Sequence, residues 1–339
     1  MKRLVITGPR QVRFEDVPIP ECPPNGVLVK AMVTAISTGT EIRVYRWLPV
    51  DEEGKMLHAG MPFPDGPTEN GYSMVGEIVD KGIGVCKFSI GDRVFVSGTH
   101  KEYEIALAED VNKIPDSIPT EQAVLLNLLG VAHIALRAGT PNPGENVAVV
   151  GLGVIGQSVL AWCRAFGFQT IGIDMDKPRL EIAKSMGAHA AISPSDNNFQ
   201  STLDYVFSGN GADLVIEAAS TWKAIQTSMD ITRKDGKVVV IARHTDQPHY
   251  NLAGHPYLSK RLTLKTAYGY EEQGQRWDRD HCFQLAIDML SRRELTITPM
   301  ITHSISWQQI PEIYRRLDGG ESGILGVIVN WTKRTIQDC

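Results

Sequence analysis

Apolar residues in this chain follow two different rhythms. Over the first third, short runs such as Gly26-Val-Leu-Val-Lys-Ala-Met-Val33 and Gly91-Asp-Arg-Val-Phe-Val96 lie between Pro and Gly turn signals. Short alternating runs closed by tight turns predict a small, mostly antiparallel β-barrel over residues 1–121. From about 122 to 266 the rhythm becomes strand, glycine turn, helix, repeated. Strands are predicted at 146–150, 169–173, 190–192, 214–218, 237–241 and 262–265, with helices at 156–167 and 178–187 among the connections. Alternating β and α predicts a doubly wound parallel sheet with right-handed crossovers, hence an α/β chain. Pro178 falls near a helix start, where its missing N–H costs nothing, and Gly187 falls where a helix would close. Residues 267–339 carry a predicted long helix (279–293), a short one (311–317) and a closing strand (326–331). They are expected to return to the first domain, which then comprises 1–121 and 267–339, with 122–266 as the second.

One stretch has neither rhythm. Residues 47–70 contain Pro49, Pro62, Pro64 and Pro67 among charged residues. A loop this long inside a domain is usually functional, so a lid or wall over the active site is expected, with a surface excursion as the plain alternative.

Composition narrows the class. The 339 residues are 42% hydrophobic and 22% charged, enough for two ordinary globular cores. A net charge of −5 and the lack of any Lys/Arg run beyond pairs such as Arg292-Arg293 and Arg315-Arg316 argue against a nucleic-acid partner. The first residues, Met1-Lys-Arg-Leu-Val-Ile-Thr-Gly8, predict a strand, not a signal peptide, and no apolar run approaches the roughly 18 residues of a membrane span. Five cysteines, none in a Cys-x-x-Cys, fit free thiols in a reducing cytoplasm.

The chemistry begins where the second rhythm does. Val147-Ala-Val-Val150 runs into Gly151-Leu-Gly153-Val-Ile-Gly156, and Asp174 ends the next apolar run. In a strand–turn–helix setting the first glycine makes the turn, the second lets backbone approach a pyrophosphate, and the third lets helix pack on strand. Val154 and Ile155 then supply helix N-terminal N–H groups to the diphosphate. Asp174 suits the ribose hydroxyls of NAD and repels the 2′-phosphate of NADP, whereas Lys177 and Arg179 soften that exclusion. Ligands of open α/β sheets sit at the carboxyl ends of the strands, which adds Ala219 and Ala242 to the cofactor set and brings His244 to the same edge. The bland alternative is a glycine turn in a protein that binds no nucleotide.

With these parts in this order, the whole chain resembles the medium-chain dehydrogenase/reductase superfamily. The resemblance implies a GroES-like domain, a Rossmann domain placed before its last segment, and a nicotinamide cofactor. Zinc-containing members have a Cys-Gly-Ser/Thr-Asp turn, where this chain has Thr38-Gly39-Thr40-Glu41. They have Gly-His-Glu where this chain has Gly71-Tyr72-Ser73, followed by the family-like Val75-Gly76-Glu77-Ile78-Val79. The remaining family ligand precedes the Rossmann domain, where Leu126-Asn127 stands. Hydroxyls do not hold Zn²⁺, and the structural zinc lobe is also missing, so no metal is expected. The strings Ile36-Ser-Thr-Gly-Thr-Glu41 and Gly71-Tyr-Ser-Met-Val-Gly76 resemble the branch containing hydroxyethyl bacteriochlorophyllide dehydrogenase.

Hydride leaves a carbinol as the hydroxyl proton departs, so without zinc a positioned group must manage that proton, a contribution of roughly 10²–10⁴ in rate. Thr40 holds the place of the family's relay hydroxyl, and Tyr72 stands at a former ligand position. Glu41 is the nearest carboxylate, either catalytic or bracing the turn. His244 is the imidazole at the cofactor edge, either an acid–base group or a loop residue. Arg43 reads as a solvated strand charge or a cation beside a phenol, His133 as a helix packing residue, and His58 and His100 as loop residues bordering the site. Trp47, Trp277 and Tyr268 are candidates for an aromatic pocket. The leading expectation is an NAD-dependent interconversion of a secondary alcohol and its ketone, on a polyol, sugar or hydroxyethyl-type compound. An enone or quinone reductase and a catalytically weak NAD sensor are the alternatives. The late strand at 262–265 should lie at a sheet edge, so a homodimer or tetramer is expected.

Overall fold

The computed structural model describes residues 1–47, 67–244 and 251–332. Most of the 47–70 stretch, with His58, therefore lies outside the described residues. The chain forms two compact units, Met1–Asn127 with Ile301–Cys339, and Leu128–Met300. The boundaries thus fall at 127/128 and 300/301 instead of 121/122 and 266/267. The helix Arg279–Ser291 belongs to the second unit, where Cys282, Phe283, Ala286, Ile287, Met289 and Leu290 are buried. Only the segment from Ile301 onward joins the first unit.

The first unit is built on the strand Gly26–Ile36, which is apolar almost throughout because it is paired along both edges. One edge meets Met74–Lys81; the other meets Tyr103–Leu107 and then Gly326–Asn330, all antiparallel. The strand Ile301–Ser306, not foreseen in the sequence, adds to Gly326–Asn330 in parallel. A smaller antiparallel sheet pairs Lys2–Gly8 with Gln11–Asp16 and with Thr68–Glu69. The apolar faces close over Ile6, Val29, Met74, Ile78, Val94, Tyr314 and Val327. The result is mostly antiparallel, as the alternation predicts.

The second unit holds six parallel strands in the spatial order Ala190–Ile192, Gln169–Ile173, Asn146–Val150, Ala212–Glu217, Thr232–Val240, Thr263–Thr266. The order reverses on either side of Asn146–Val150, which makes the carboxyl end of that strand the switch point of a doubly wound sheet. Its central strands are buried, with Ala148, Ile171, Val215 and Val238 in one core cluster. Helix starts follow local chemistry: Asp176 caps Lys177–Ser185 by accepting from the Arg179 N–H, with Pro178 in the first turn, and Thr221 caps Trp222–Ile231 in the same way. Among the described residues no helix is long and apolar enough to cross a membrane.

Candidate active site

Three glycines at the switch point have three different surroundings. Gly151 has φ of +94°, and a Cβ there would meet Ala219 N at 2.6 Å, so both the turn and its neighbour require glycine. A Cβ on Gly156 would fall 1.9 Å from the Gly151 carbonyl oxygen, which fixes the helix Val154–Ala165 against the turn. A Cβ on Gly153 would meet nothing within 4 Å. That opening lies at the helix N-terminus, where Gly153 is the N-cap and no side chain caps the first turn, so the N–H groups there remain available to an anion.

Asp174 is bound into the same turn. Its Oδ2 accepts from Leu152 N at 2.7 Å and its Oδ1 from Asp176 N at 2.9 Å, while the Arg179 Nη1 stands 3.7 Å from Oδ2. The acid thus positions the glycine turn, with the Arg179 guanidinium beside it.

On the other side of the switch point, Glu217 ends its strand fully buried. One carboxylate oxygen accepts from Ala219 N at 2.7 Å and Ser220 N at 3.1 Å; the other pairs with His244 Nε2 at 2.8 Å. The Glu217 carbonyl also accepts from Ile241 N and Ala242 N, at 3.0 and 3.3 Å. Ala219, Ala242 and His244 are therefore gathered around one buried acid, Glu217, which the strand-end rule puts near the nicotinamide but to which the sequence assigns no specific task. Its placement at the end of an apolar strand, in Leu-Val-Ile-Glu217, was the available signal: an acid that interrupts a core run needs a partner.

In the first unit, Thr40, Glu41 and Tyr72 come together around the turn 37–41. Glu41 lies in the helix Thr40–Tyr45 and is fully buried. Its Oε1 accepts from Ser37 N at 2.7 Å, and its Oε2 takes both His100 Nε2 at 2.8 Å and the Tyr314 hydroxyl at 2.5 Å. Tyr314 OH also accepts from Asn70 Nδ2 at 3.1 Å. His100 lies in the loop between Arg93–Val96 and Tyr103–Leu107, fully buried, and its Nδ1 is 2.7 Å from Thr34 Oγ1, which accepts from Trp331 Nε1. Burial and the Glu41 carboxylate drive the Tyr314 phenol well above its ordinary range.

Tyr72 is held differently. Gly71, with φ of +98°, precedes it. The phenol donates to Ser37 Oγ at 2.6 Å, and its carbonyl accepts from Asn127 Nδ2 at 2.9 Å. Burial pushes this phenol up to about 12; the hydrogen bonds with Ser37 and Thr40 pull the other way, and the Glu41 charge adds to the rise. At neutral pH it is a hydrogen-bond donor and not a base. Ser73, beside it, is buried. Among the described residues no three His, Cys, Asp or Glu side chains gather as a metal-holding group.

The remaining candidates disperse. Arg43 lies in the helix Thr40–Tyr45, not on a strand. Trp47 packs on the first core. Trp277 sits between the guanidiniums of Arg137 and Arg276, at 4.0 and 4.4 Å, and Tyr268 is 80% exposed against Arg243. His133 packs between Trp162 and Trp277 with its Nδ1 lacking a hydrogen-bond partner, and burial takes it down to about 4.

A six-stranded parallel sheet with a glycine turn at its switch point, in a chain that also carries an antiparallel unit, defines a two-unit α/β protein of the doubly wound type. The family model for zinc-binding dehydrogenases matches residues 154–292. The L-threonine 3-dehydrogenase of Shewanella sediminis is 29% identical, over 98% of this chain and 100% of that protein. The solved galactitol-1-phosphate dehydrogenase of Escherichia coli superposes with a TM-score of 0.82 at 19% identity, over 98% and 100% of the two chains. An Escherichia coli alcohol dehydrogenase complexed with NADH superposes at 0.81 and 20% identity, over 98% and 99%. The chain is thus similar, over nearly its whole length, to dehydrogenases of the medium-chain type, and is an oxidoreductase.

Proposed function

We propose that this protein interconverts a secondary alcohol and its ketone with NAD(H), without a catalytic zinc, on a polyol, sugar or hydroxyethyl-type compound. The observation that carries the reading is the open cradle over Gly153 at the helix N-terminus of the second unit; within the first unit, Thr40 and Tyr72 offer hydroxyl chemistry that suits an alcohol. The glycine turn fits a dinucleotide: Gly151 and Gly156 pack, Gly153 leaves room, and the first-turn N–H groups of Val154 and Ile155 face an anion. Asp174 takes the adenosine ribose, with Arg179, Ala219 and Ala242 completing the cofactor set. Bound there, NAD supplies the acceptor for the hydride leaving the carbinol carbon.

Zinc does not fit the residues at the family's ligand positions. Thr38 offers a hydroxyl, Tyr72 a phenol already donating to Ser37, and Asn127 an amide whose Nδ2 donates to Tyr72 O. Tetrahedral zinc takes thiolate, imidazole or carboxylate. In this reading the Thr40 hydroxyl and the protonated Tyr72, its O–H turned from Ser37 Oγ to the substrate, hold the reacting oxygen and stabilise its developing negative charge by hydrogen bonds. The carbinol proton leaves to water as the hydride goes to NAD, and Glu41, enclosed on every side, positions the turn that carries Ser37 and Thr40. The four described cysteines are free thiols, which fits a reducing cytoplasm. The strand Thr263–Thr266 ends its sheet and offers an edge for a two-fold homodimer.

The test is the near-ultraviolet absorbance of NADH as purified protein meets NAD and a panel of polyols, sugars and hydroxyethyl compounds, with and without a chelator. Reduction that survives chelation is expected. Reduction lost with the chelator overturns the zinc-independent reading, and silence with every alcohol overturns the activity itself.

A further inference from the structure

Glu217 is a buried acid that the proposed chemistry leaves unused. Its strand lies on the opposite side of Asn146–Val150 from Gln169–Ile173, the strand that leads to Asp174. If the Asp174 side receives the adenosine half of a dinucleotide, the Glu217 side receives the other half, because the ligand straddles the switch point. Three segments converge there. The 218–220 turn is held by the Glu217 carboxylate through Ala219 N and Ser220 N, and Ala219 N is the atom that a Cβ on Gly151 would strike. The 241–244 segment is held by the Glu217 carbonyl and by the 2.8 Å contact from His244 Nε2.

An ionised carboxylate has no hydrogen to give, so His244 must donate from Nε2. A neutral imidazole bound this way has its lone pair on Nδ1. The His244 side chain keeps 15% of its surface exposed, whereas Glu217 keeps none. The acid is sealed in and its partner reaches the rim.

We propose that Glu217 is a positioning residue: it fixes His244 as the Nε2–H tautomer, so that Nδ1 accepts a hydrogen bond from a hydroxyl or amide N–H of the nicotinamide-riboside half of the cofactor. This rests on the NAD reading above. The substitution Glu217→Gln isolates the effect. Its amide oxygen still accepts from Ala219 N and Ser220 N, but its NH₂ now faces His244 Nε2 and requires that nitrogen to accept, which moves the proton to Nδ1.

The experiment combines ¹⁵N-histidine NMR with two titrations. The His244 resonances are identified by their loss in His244→Gln. In the wild-type protein at pH 8.5 they should show the Nε2–H tautomer, and in Glu217→Gln the Nδ1–H tautomer. Binding is read with NADH and with ADP, which lacks the nicotinamide riboside. Glu217→Gln and His244→Gln should each weaken NADH by roughly tenfold, leave ADP unchanged, and together do no worse than either alone. A wild-type imidazolium or Nδ1–H tautomer overturns the proposal. So does equal weakening of ADP and NADH, which would make Glu217 a brace for the glycine turn alone. Should Glu217→Gln fail to fold, the ADP-to-NADH ratio in His244→Gln decides by the same criterion. Wild-type protein that binds neither nucleotide overturns the dehydrogenase reading and this ligand with it. Wild-type binding with both variants unaffected overturns the dyad alone.

Discussion

Glu41 and Glu217 make the same contact in different surroundings. Each is a fully buried carboxylate taking a 2.8 Å hydrogen bond from an imidazole Nε2. Around Glu41 everything is closed: His100 is as buried as the acid, its second nitrogen is spent on Thr34, and Tyr314 and Ser37 fill the remaining lone pairs. Around Glu217 the backbone fills one oxygen, and His244 leads outward to the carboxyl edge of the sheet. A buried acid whose every partner is buried holds a fold in one arrangement; one whose partner reaches the surface can act on a ligand. The difference lies in the second nitrogen of the histidine, not in the acid.

Breaking the closed network should have the largest effect. Glu41→Ala leaves the Ser37 N–H, a His100 nitrogen and the Tyr314 hydroxyl buried without their acceptor, and should cost about 3–5 kcal/mol in urea unfolding. A loss below about 1 kcal/mol would mean that the network relaxes around the gap. Tyr72 comes next. On the proposed reading, Tyr72→Phe removes a hydrogen bond to the reacting oxygen and should lower kcat by roughly 10²–10³ while leaving the unfolding midpoint near that of the wild type. Because the phenol titrates at about 12, the wild-type rate should show no alkaline loss from it near pH 10, its ordinary range. A limb at pH 10 would place the functional proton on another group.

His133 sharpens the contrast from a third direction, as a buried imidazole with no carboxylate at all. It is held neutral down to about pH 4, while in the unfolded chain it takes up a proton near its ordinary 6.5. Its stabilising contribution is therefore complete above pH 6.5 and lost as pH falls toward 4, up to about 3 kcal/mol. His133→Phe should flatten the acid side of a stability-against-pH curve, and an unchanged curve would remove His133 as its cause. The smallest expected effect is that of Gly153→Ala. Its new methyl points into open space, so folding should be untouched, while NADH binding weakens by about tenfold, or ~1.4 kcal/mol. Unchanged affinity would show that the opening is not where the pyrophosphate lies.

Much of this was readable before any coordinates. The glycine turn, Asp174 and the alternation of strand and helix are local patterns, and the structure arranges them as spacing requires: a positive φ at Gly151, room at Gly153, close packing at Gly156. Thr40, Glu41 and Tyr72 were legible as the polar replacements in two short motifs. What was missed joins residues far apart in sequence. Tyr314 meets Glu41 across 273 positions and His100 meets it across 59, with no period or motif linking them. The second unit's later boundary was missed for the same reason: the helix Arg279–Ser291 carries an apolar face that says it is buried but not against which core.

The sequence alone determined the two rhythms, the glycine turn and the hydroxyl character of the Thr38–Thr40 and Tyr72 positions, because each depends on steric or chemical demands within a few residues. Tertiary structure alone decided which acid meets which histidine and which of those histidines keeps an exposed edge. Burial raises the cost of every unpaired charge, and where the chain folds back decides which groups share a buried space.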